Sequence, residues 1–533
     1  MAKDLVRQPF WGKKFLEYGL NLTDNAIMVP FQNMVEALNI MVGSTWARRK
    51  RPGLAYWNVD DSDETVNYPV NPKNNSGVDG DPIRGLTEFW RYDSGPGIII
   101  SDLFVRQDDV VYSIDGRSGA ATVITGPALQ TTGRISTQVF DQKLYWCSTN
   151  FGEGLNVWDG GATYIAHPDP PTSTPSILTT YRDRLVAMGL EDEPYTVWFS
   201  EIGNADNFNS GTSAKDPTSF SLDFSGDPDG ITGGVEFQGR LFVFLRRSIY
   251  QVTGTDRDDL ASKLIVRGVG AINSNCIVPV GNDVFFLAER GLMSLRSTDK
   301  AVQSEYGYMS RDIAKLYNEQ LDRSLEGQWS MEYDERENLL YISVTSKGST
   351  ENDTILVYNT EKDLWTYFNG VDARTLTKVL IEGTSRVLAG REDGILALMG
   401  EDERRDFGDT DYVSEFLTGI YYPGDSADIE HVFEEVTVLC SASESAELTI
   451  QVSIDEVTIQ TETLQLTKQG GLLGSTFVLG SSALTKGVFT PKTVQIQGKG
   501  FGLQIRMSYP SSKDVEVYGF IIGSRPAGQR RYQ

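Results

Sequence analysis

The chain has 533 residues, of which 40% are hydrophobic and 23% charged, and its formal net charge is −25 at pH 7. This length exceeds what one hydrophobic core usually holds, so two or more domains are expected, and the ordinary hydrophobic content argues against large-scale disorder. The acidic balance argues against broad attraction to nucleic acid, because phosphate binding requires clustered Lys and Arg. The acidic charge is compatible with a surface past which DNA slides, since such a surface should repel DNA rather than hold it.

Cysteine usage and the absence of long apolar runs predict where the protein is made. Cys147, Cys276 and Cys440 form no CxxC pair, so we expect small buried side chains and a reducing cytoplasm. The first seven residues lack an apolar core, and no secretory signal is expected from them. No apolar run of about 18 residues is present, so no membrane span is expected.

Residues 1–82 do not resemble a repeat and are predicted to be an arm and loop region that docks on other domains. Residues 33–41 fit a short helix or a strand. The loop at 58–82 is rich in Asn, Asp, Ser, Gly and Pro, and without calcium-ligand spacing it is interpreted as solvated. Four consecutive cations have three possible interpretations, a phosphate-binding patch, a partner-docking patch or a solvated loop. They are Arg48, Arg49, Lys50 and Arg51.

One phrase recurs along the middle of the chain: an aromatic or apolar residue, a polar turn and an apolar strand. Its openings are Phe140, Tyr181, Phe237, Val280 and, more loosely, Tyr333, which lie 41, 56, 43 and 53 residues apart. A spacing of roughly 40 to 50 residues filled with short strands is typical of a β-propeller. We therefore predict an all-β fold in which residues 83–400 form a propeller of about six to seven blades.

Several segments of the propeller region carry individual predictions. Residues 83–124 divide into four short strands, with a hairpin signal at Asp115-Gly116, and make one blade. The proline-rich segment 167–175 excludes a central strand, and residues 201–226 are interpreted as an insertion. The one predicted helix covers 310–320, with Ser310 as its cap.

The period changes after the charged, turn-prone stretch 401–411, which predicts a domain boundary. Beyond it, strands such as 448–454 and 515–522 alternate apolar and polar residues. One wet and one dry face indicate two packed sheets, so residues 401–533 are predicted to form a C-terminal β-sandwich or platform domain. The chain ends in a short basic tail that includes Arg530 and Arg531.

A search for reactive groups finds little. The only two histidines, His167 and His431, have no nucleophile elbow nearby, and His and Cys are too sparse for a zinc cluster. Carboxylate pairs at Asp227 and Asp229 and at Asp79 and Asp81 fit a glycosidase, but 73 acidic residues produce such pairs by chance. We predict no catalytic residues, no metal and no cofactor.

The succession of phrases resembles the tail hub or nozzle proteins of short-tailed phages, also described as packaged-DNA stabilisation proteins. The resemblance covers roughly residues 20 to 400 and is strongest from 180 to 300. The segments that carry it are Arg182-Asp-Arg-Leu-Val-Ala-Met-Gly, Val197-Trp-Phe-Ser-Glu-Ile-Gly-Asn-Ala-Asp-Asn-Phe, Asp229-Gly-Ile-Thr-Gly-Gly-Val-Glu-Phe-Gln-Gly-Arg-Leu-Phe-Val-Phe, Arg247-Ser-Ile-Tyr-Gln-Val-Thr-Gly, Gly268-Val-Gly and the early Arg49-Lys-Arg-Pro-Gly-Leu. The C-terminal domain fits the family only loosely.

The resemblance implies a structural virion protein without enzyme activity. It implies a homo-oligomeric ring, usually a hexamer, below the portal and head-to-tail adaptor, which continues the DNA channel, retains packaged DNA and supports tail fibres or spikes. The expected place is the virion tail, after assembly in the host cytoplasm, and DNA passes without sequence-specific binding. Arg48, Arg49, Lys50, Arg51, Arg530 and Arg531 are the candidate partner-docking residues. Alternatives are a propeller-based binding module of another assembly or a glycan-cleaving enzyme.

Overall fold

The computed structural model divides the chain into two compact units. The first comprises residues 1–55, 356–370 and 400–533, and the second comprises residues 56–355 and 371–399. The predicted domains 1–82, 83–400 and 401–533 stay predictions. The residues that the structure describes are 5–11, 15–16, 18–22, 29–43, 46–57, 81–93, 98–115, 121–209, 211, 213–222, 230–295, 308–381, 383–401, 405–407, 410–442, 444–466, 490–510 and 513–529.

Short strands make up the N-terminal segment. The stretch 33–41, which fitted a helix or a strand, is extended and is broken at Asn39, whose φ of 54° interrupts the strand. An asparagine tolerates this left-handed conformation better than most residues. The strands of this segment are β1 (Val6–Trp11), β2 (Gly19–Leu20), β3 (Asn33–Leu38), β4 (Ile40–Val42), β5 (Arg48–Lys50) and β6 (Gly53–Tyr56).

The second unit opens with four antiparallel sheets of four strands each, blades 1 to 4. Blade 1 has the four strands predicted between residues 83 and 124. The supposed insertion at 201–226 contains the outer strand of blade 3, so that interpretation was wrong. The strands are β7 (Ile83–Asp93), β8 (Ile98–Gln107), β9 (Val110–Asp115) and β10 (Ala121–Ile124); β11 (Ile135–Phe140), β12 (Lys143–Ser148), β13 (Asn156–Trp158) and β14 (Ile165–Ala166); β15 (Ile177–Tyr181), β16 (Arg184–Met188), β17 (Thr196–Phe199) and β18 (Thr218–Ser221); β19 (Ile231–Phe237), β20 (Arg240–Leu245), β21 (Ser248–Thr253) and β22 (Ala261–Arg267).

Three further blades complete the unit in the described part of the chain. Blade 5 comprises β23 to β25, blade 6 begins with the pair β26 and β27, and blade 7 contains β30, β31 and β32. The strands, with the two that intervene, are β23 (Ile277–Val280), β24 (Asp283–Ala288), β25 (Gly291–Ser294), β26 (Ser330–Asp334), β27 (Leu339–Val344), β28 (Thr354–Asn359), β29 (Leu364–Asn369), β30 (Ala373–Ile381), β31 (Thr384–Arg391) and β32 (Leu396–Glu401).

The first strands of the seven blades contact one another in a ring, in the order β7, β11, β15, β19, β23, β26 and β30, and β30 returns to β7. Apolar clusters fill the spaces between neighbouring blades. The Phe104 and Trp146 rings of blades 1 and 2 pack with their centroids 5.0 Å apart. Ile83 of blade 1 shares a buried cluster with Val379 and Leu388 of blade 7, which closes the circle. The predicted β-propeller is confirmed, and the described residues form seven blades.

The recurring phrase is the inner hairpin of a blade. Its polar turn holds two residues with positive φ in blades 2, 3 and 4, as at Gln238 (51°) and Gly239 (70°). Two such residues define the type I′ turn, whose twist matches that of paired strands. The turn therefore recurs in the sequence because these three blades use the same tight reversal.

Helical structure is short, as expected for this composition. The predicted helix at 310–320 is a 3₁₀ turn, Arg311–Ile313, followed by a π-helical turn, Leu316–Gln320. Ser310 does not cap it, because its Oγ accepts a hydrogen bond from Leu292 N at 2.7 Å instead. None of the helices in the described residues has the length and hydropathy of a membrane span. In the described part of the chain, the other 3₁₀ turns are Phe151–Glu153, Ser274–Cys276, Arg323–Gln328 and Pro423–Asp425.

The first unit consists of two sheets whose inner faces meet. The Phe520 ring of one sheet packs 6.4 Å from the Phe416 ring of the other, and Phe15 lies against both rings. One sheet has the order β37-β34-β39-β5-β4, with β1 on β39, and the other runs β28-β29-β3-β33-β38-β35-β36. This confirms the predicted sandwich. The remaining strands are β33 (Glu415–Thr418), β34 (Ile429–Ala442), β35 (Ala446–Ile454), β36 (Val457–Leu466), β37 (Thr490–Gly500), β38 (Leu503–Ser508) and β39 (Val515–Gln529).

Candidate functional site

The central channel of the propeller is the best candidate site, because all seven first strands line it. Its middle section is a cavity of about 290 Å³. Hydroxyls and small or apolar side chains dominate the wall, and the Oγ1 atoms of Thr87 and Thr137 lie 2.5 Å apart in a hydrogen bond between blades 1 and 2. The lining includes Thr87, Ser136, Thr137, Leu178, Gly234, Val278, Glu332 and Thr377.

Glu332 is the one carboxylate among the described residues that line this cavity. Burial raises the pKa of its carboxyl to about 7, although Lys378 Nζ at 3.9 Å opposes the rise. The Oε1 atom accepts a hydrogen bond from Tyr333 N at 3.0 Å. A single carboxylate with such a pKa can exchange a proton near neutral pH, but the paired acid and base of a glycosidase need a second carboxylate.

The cationic run at 48–51 does not form an exposed patch. Arg48, Lys50 and Arg51 are buried within the first unit. Arg51 forms a bidentate ion pair with Asp406, with distances of 2.7 and 2.9 Å, and Lys50 Nζ lies 3.7 Å from the centre of the Tyr412 ring. The solvated-loop interpretation is therefore wrong at these three buried positions, and partner docking by this run stays a prediction.

The other predicted docking residues have different outcomes. Arg49 is half-buried in β5, which pairs with β39. Arg530 and Arg531 lie outside the described residues. Burial of Arg48 lowers the pKa of its guanidinium to about 10, and its Nη1 donates to Trp46 O at 2.8 Å. The structure thus gives the run at 48–51 a role in holding the first unit together.

Both histidines are buried. His167 Nδ1 accepts a hydrogen bond from Asp169 N, so Nε2 carries the proton and donates to Ala205 O at 2.9 Å. Burial lowers the pKa of this imidazole, which is consistent with the neutral form. His431 is buried in β34.

The three cysteines are buried and free, as predicted. Burial raises the pKa of the Cys276 thiol to about 12 and that of the Cys440 thiol to about 11, so neither is a thiolate at neutral pH.

The carboxylate pairs that suggested a glycosidase receive no support. Asp79, Asp227 and Asp229 lie outside the described residues, and Asp81 is only half-buried in the segment before β7. Within the described ranges, no three His, Cys, Asp or Glu side chains are grouped so that they could hold a metal ion.

Sequence reasoning missed one pattern that the channel makes visible. Three inner strands begin with Arg-x-x-Thr, at Arg84–Thr87, Arg134–Thr137 and Arg374–Thr377. These strands belong to blades 1, 2 and 7, which are neighbours in the ring. The repeat was available in the sequence, but only the topology shows that its members converge on one channel.

No protein-family model matches the chain, and no curated protein matches it by sequence. The chain is similar in structure to the β-propeller domain of Cps50 (Swd1) from Myceliophteria thermophila, with a TM-score of 0.37 and 10% identity over 61% of this chain and 97% of that one. It is also similar to a glycoside hydrolase family 43 arabinoxylan arabinofuranohydrolase from Bacillus subtilis, with a TM-score of 0.24 and 7% identity over 85% of this chain and 97% of that one.

Proposed function

We propose that this chain is a structural subunit of a phage tail. Copies of it form a ring, the hub or nozzle, below the portal and adaptor, which continues the DNA channel, retains packaged DNA and supports tail fibres or spikes. The resemblance between residues 180 and 300 carries this proposal. Those phrases fall on blades 3 and 4, in the strands and turns that build the propeller, so the resemblance concerns architecture.

The chemistry of the described residues supports a role without turnover. Histidine and thiol side chains are buried, and the channel cavity presents one carboxylate where glycan cleavage requires two. The cavity is also far too small for a DNA duplex. In this proposal DNA passes through the opening enclosed by the ring of copies, and the net charge of −25 limits its adhesion there.

The long hairpin of blade 1 offers a surface for contact with a neighbouring copy. Tyr92 pairs with Ile99 across the hairpin, and Trp90 lies two residues away on the same face. These side chains are 56%, 62% and 42% exposed. Large apolar side chains that gather on one exposed face are typical of protein contacts, and a closed ring requires every copy to present one.

The test is the mass of the purified full chain in solution, followed by imaging of the assembled particle. We expect a closed ring, a hexamer as the resemblance implies. The double variant Trp90→Ser, Tyr92→Ser should not form this ring, because the apolar contact is removed. Val457→Ser is the matched control, since Val457 is 65% exposed on the sandwich unit. A monomer at the highest soluble concentration would favour the binding-module alternative, and release of sugar from a glycan would overturn the structural role.

A further inference from the structure

One mouth of the propeller channel collects positive charge in a chain that is strongly acidic. A cavity of about 240 Å³ lies there. Its wall contains three arginines and no carboxylate among the described residues. The lining residues are Arg84, Gly133, Arg134, Thr149, Asn275, Gly327, Gln328 and Arg374.

The backbone explains why these arginines share one mouth. Arg84 and Arg374 lie near the start of β7 and β30, and Arg134 directly precedes β11. The inner strands of adjacent blades run along the central axis in the same direction, so their first residues meet at one end of the channel. In blades 1 and 7 the strand register shifts at the arginine, between Ile83 and Gly85 and between Ala373 and Thr375. A bulge of this kind re-aims a side chain.

Each arginine is held in place by fixed partners. Arg84 Nε donates to Asp108 Oδ1 at 2.7 Å, and Arg374 Nη1 donates to Glu392 Oε1 at 3.3 Å and also to Gln328 Oε1. Arg134 Nη1 donates to Gly327 O at 3.4 Å. These contacts leave guanidinium N–H groups available at each position, since the group carries five donors.

The charges of the mouth are only partly compensated. Asp108 and Glu392 balance two of the guanidinium groups, whereas Arg134 has no ion pair with a described residue. The Arg134 Nε is buried and finds no hydrogen-bond partner within the described ranges. A buried donor without a partner costs free energy unless a ligand or water satisfies it. The site therefore carries one uncompensated positive charge, that of Arg134, and one buried N–H donor, Arg134 Nε, that lacks a partner among the described residues.

We propose that this mouth binds a phosphate-class oxyanion, either inorganic phosphate or a small phosphate monoester, between Arg84, Arg134 and Arg374. Planar guanidinium groups recognise a tetrahedral oxyanion through paired N–H donors. The cavity exceeds the size of bare phosphate, which leaves room for a short organic group toward solvent. The hydroxyls of Thr87, Thr137 and Thr377 lie three residues deeper and continue the polar wall. This binding does not depend on ring formation.

The experiment is calorimetric titration of the full-length chain with sodium phosphate, and separately with glycerol phosphate, at constant ionic strength. We expect saturable binding of at least one of the two, and stronger binding of glycerol phosphate would identify a monoester site. Arg134→Gln should weaken binding by about tenfold or more, the loss of one charge-assisted contact. Asn275→Ala should weaken it less, because Asn275 lines the same cavity and its amide is a neutral donor. Arg257→Gln is the matched control, because Arg257 is exposed outside the channel, and it should bind like the parent protein.

Two outcomes would overturn the proposal. One is the absence of saturable heat with both phosphates. The other is equal binding by the parent protein, Arg134→Gln and Asn275→Ala. Unchanged circular dichroism establishes that a variant is folded. Should Arg134→Gln fail to fold, Arg134→Lys and Asn275→Ala decide the question, since the lysine keeps the charge but loses the paired donors. Acetate at the same ionic strength should give no comparable signal.

Discussion

The propeller and the sandwich are each stabilised by a buried arginine–carboxylate pair, but the two pairs span very different lengths of chain. In the propeller, Arg106 of blade 1 contacts Glu153 of blade 2, 47 residues away, at 2.6 Å. In the sandwich, Arg51 contacts Asp406, 355 residues away, at 2.7 Å. Apart from the closure between blades 7 and 1, the propeller thus assembles from chain neighbours, whereas the sandwich requires distant parts of the chain to meet.

Removal of the Glu153 carboxylate should have the largest effect. Both side chains of the pair are fully buried, and Glu153 Oε1 also accepts from Gln130 N at 2.9 Å. We expect Glu153→Ala to reduce the free energy of unfolding by about 3–5 kcal/mol, because the Arg106 charge is left buried without a counter-ion. Denaturant unfolding measures this loss, and hydrogen exchange should increase first in β8 and β12. Glu191→Ala, at an exposed carboxylate of the same unit, is the control. Equal stability of the two variants would contradict the expectation.

The corresponding change in the sandwich should be somewhat milder. Asp406→Ala removes the partner of Arg51, but Arg51 Nε still donates to Asn39 Oδ1 at 3.0 Å and its guanidinium stacks 3.8 Å from the Tyr412 ring. We expect a loss of about 2–4 kcal/mol. Hydrogen exchange should increase in β3 and β5 of the first unit. Exposed Glu447 provides the control, Glu447→Ala. Faster exchange confined to the blades would show that the two units do not respond separately.

The same contrast explains which features the sequence predicts. A blade consists of hairpins that follow one another along the chain. The pattern that begins at Phe237 and its copies therefore predict the strands, the turns between them and the repeat that they form. The alternation in 448–454 predicts a strand with one buried face but does not name its partner strands. Nothing near Arg51 in the sequence indicates that Asp406 is its partner. The local sequence therefore does not distinguish a buried, paired arginine from an exposed one. The arginines of the channel mouth likewise repeat in the sequence, but their convergence depends on ring closure between blades 7 and 1.

The smallest predicted effect concerns Glu332, which faces the channel. Its pKa of about 7 exceeds the ordinary value of 4.5, so the folded state favours the protonated carboxyl. The stability that this carboxyl contributes is complete below about pH 4.5 and is lost as the pH rises through about 7. Glu332→Gln should therefore be more stable than the parent protein by roughly 1–2 kcal/mol at pH 8, after allowance for solvent and Lys378. The difference should shrink as the pH is lowered toward 5. Paired denaturant titrations at the two pH values measure it, with Glu191→Gln as the control. A stability difference that does not change with pH would mean that Glu332 ionises in the folded protein as freely as in water.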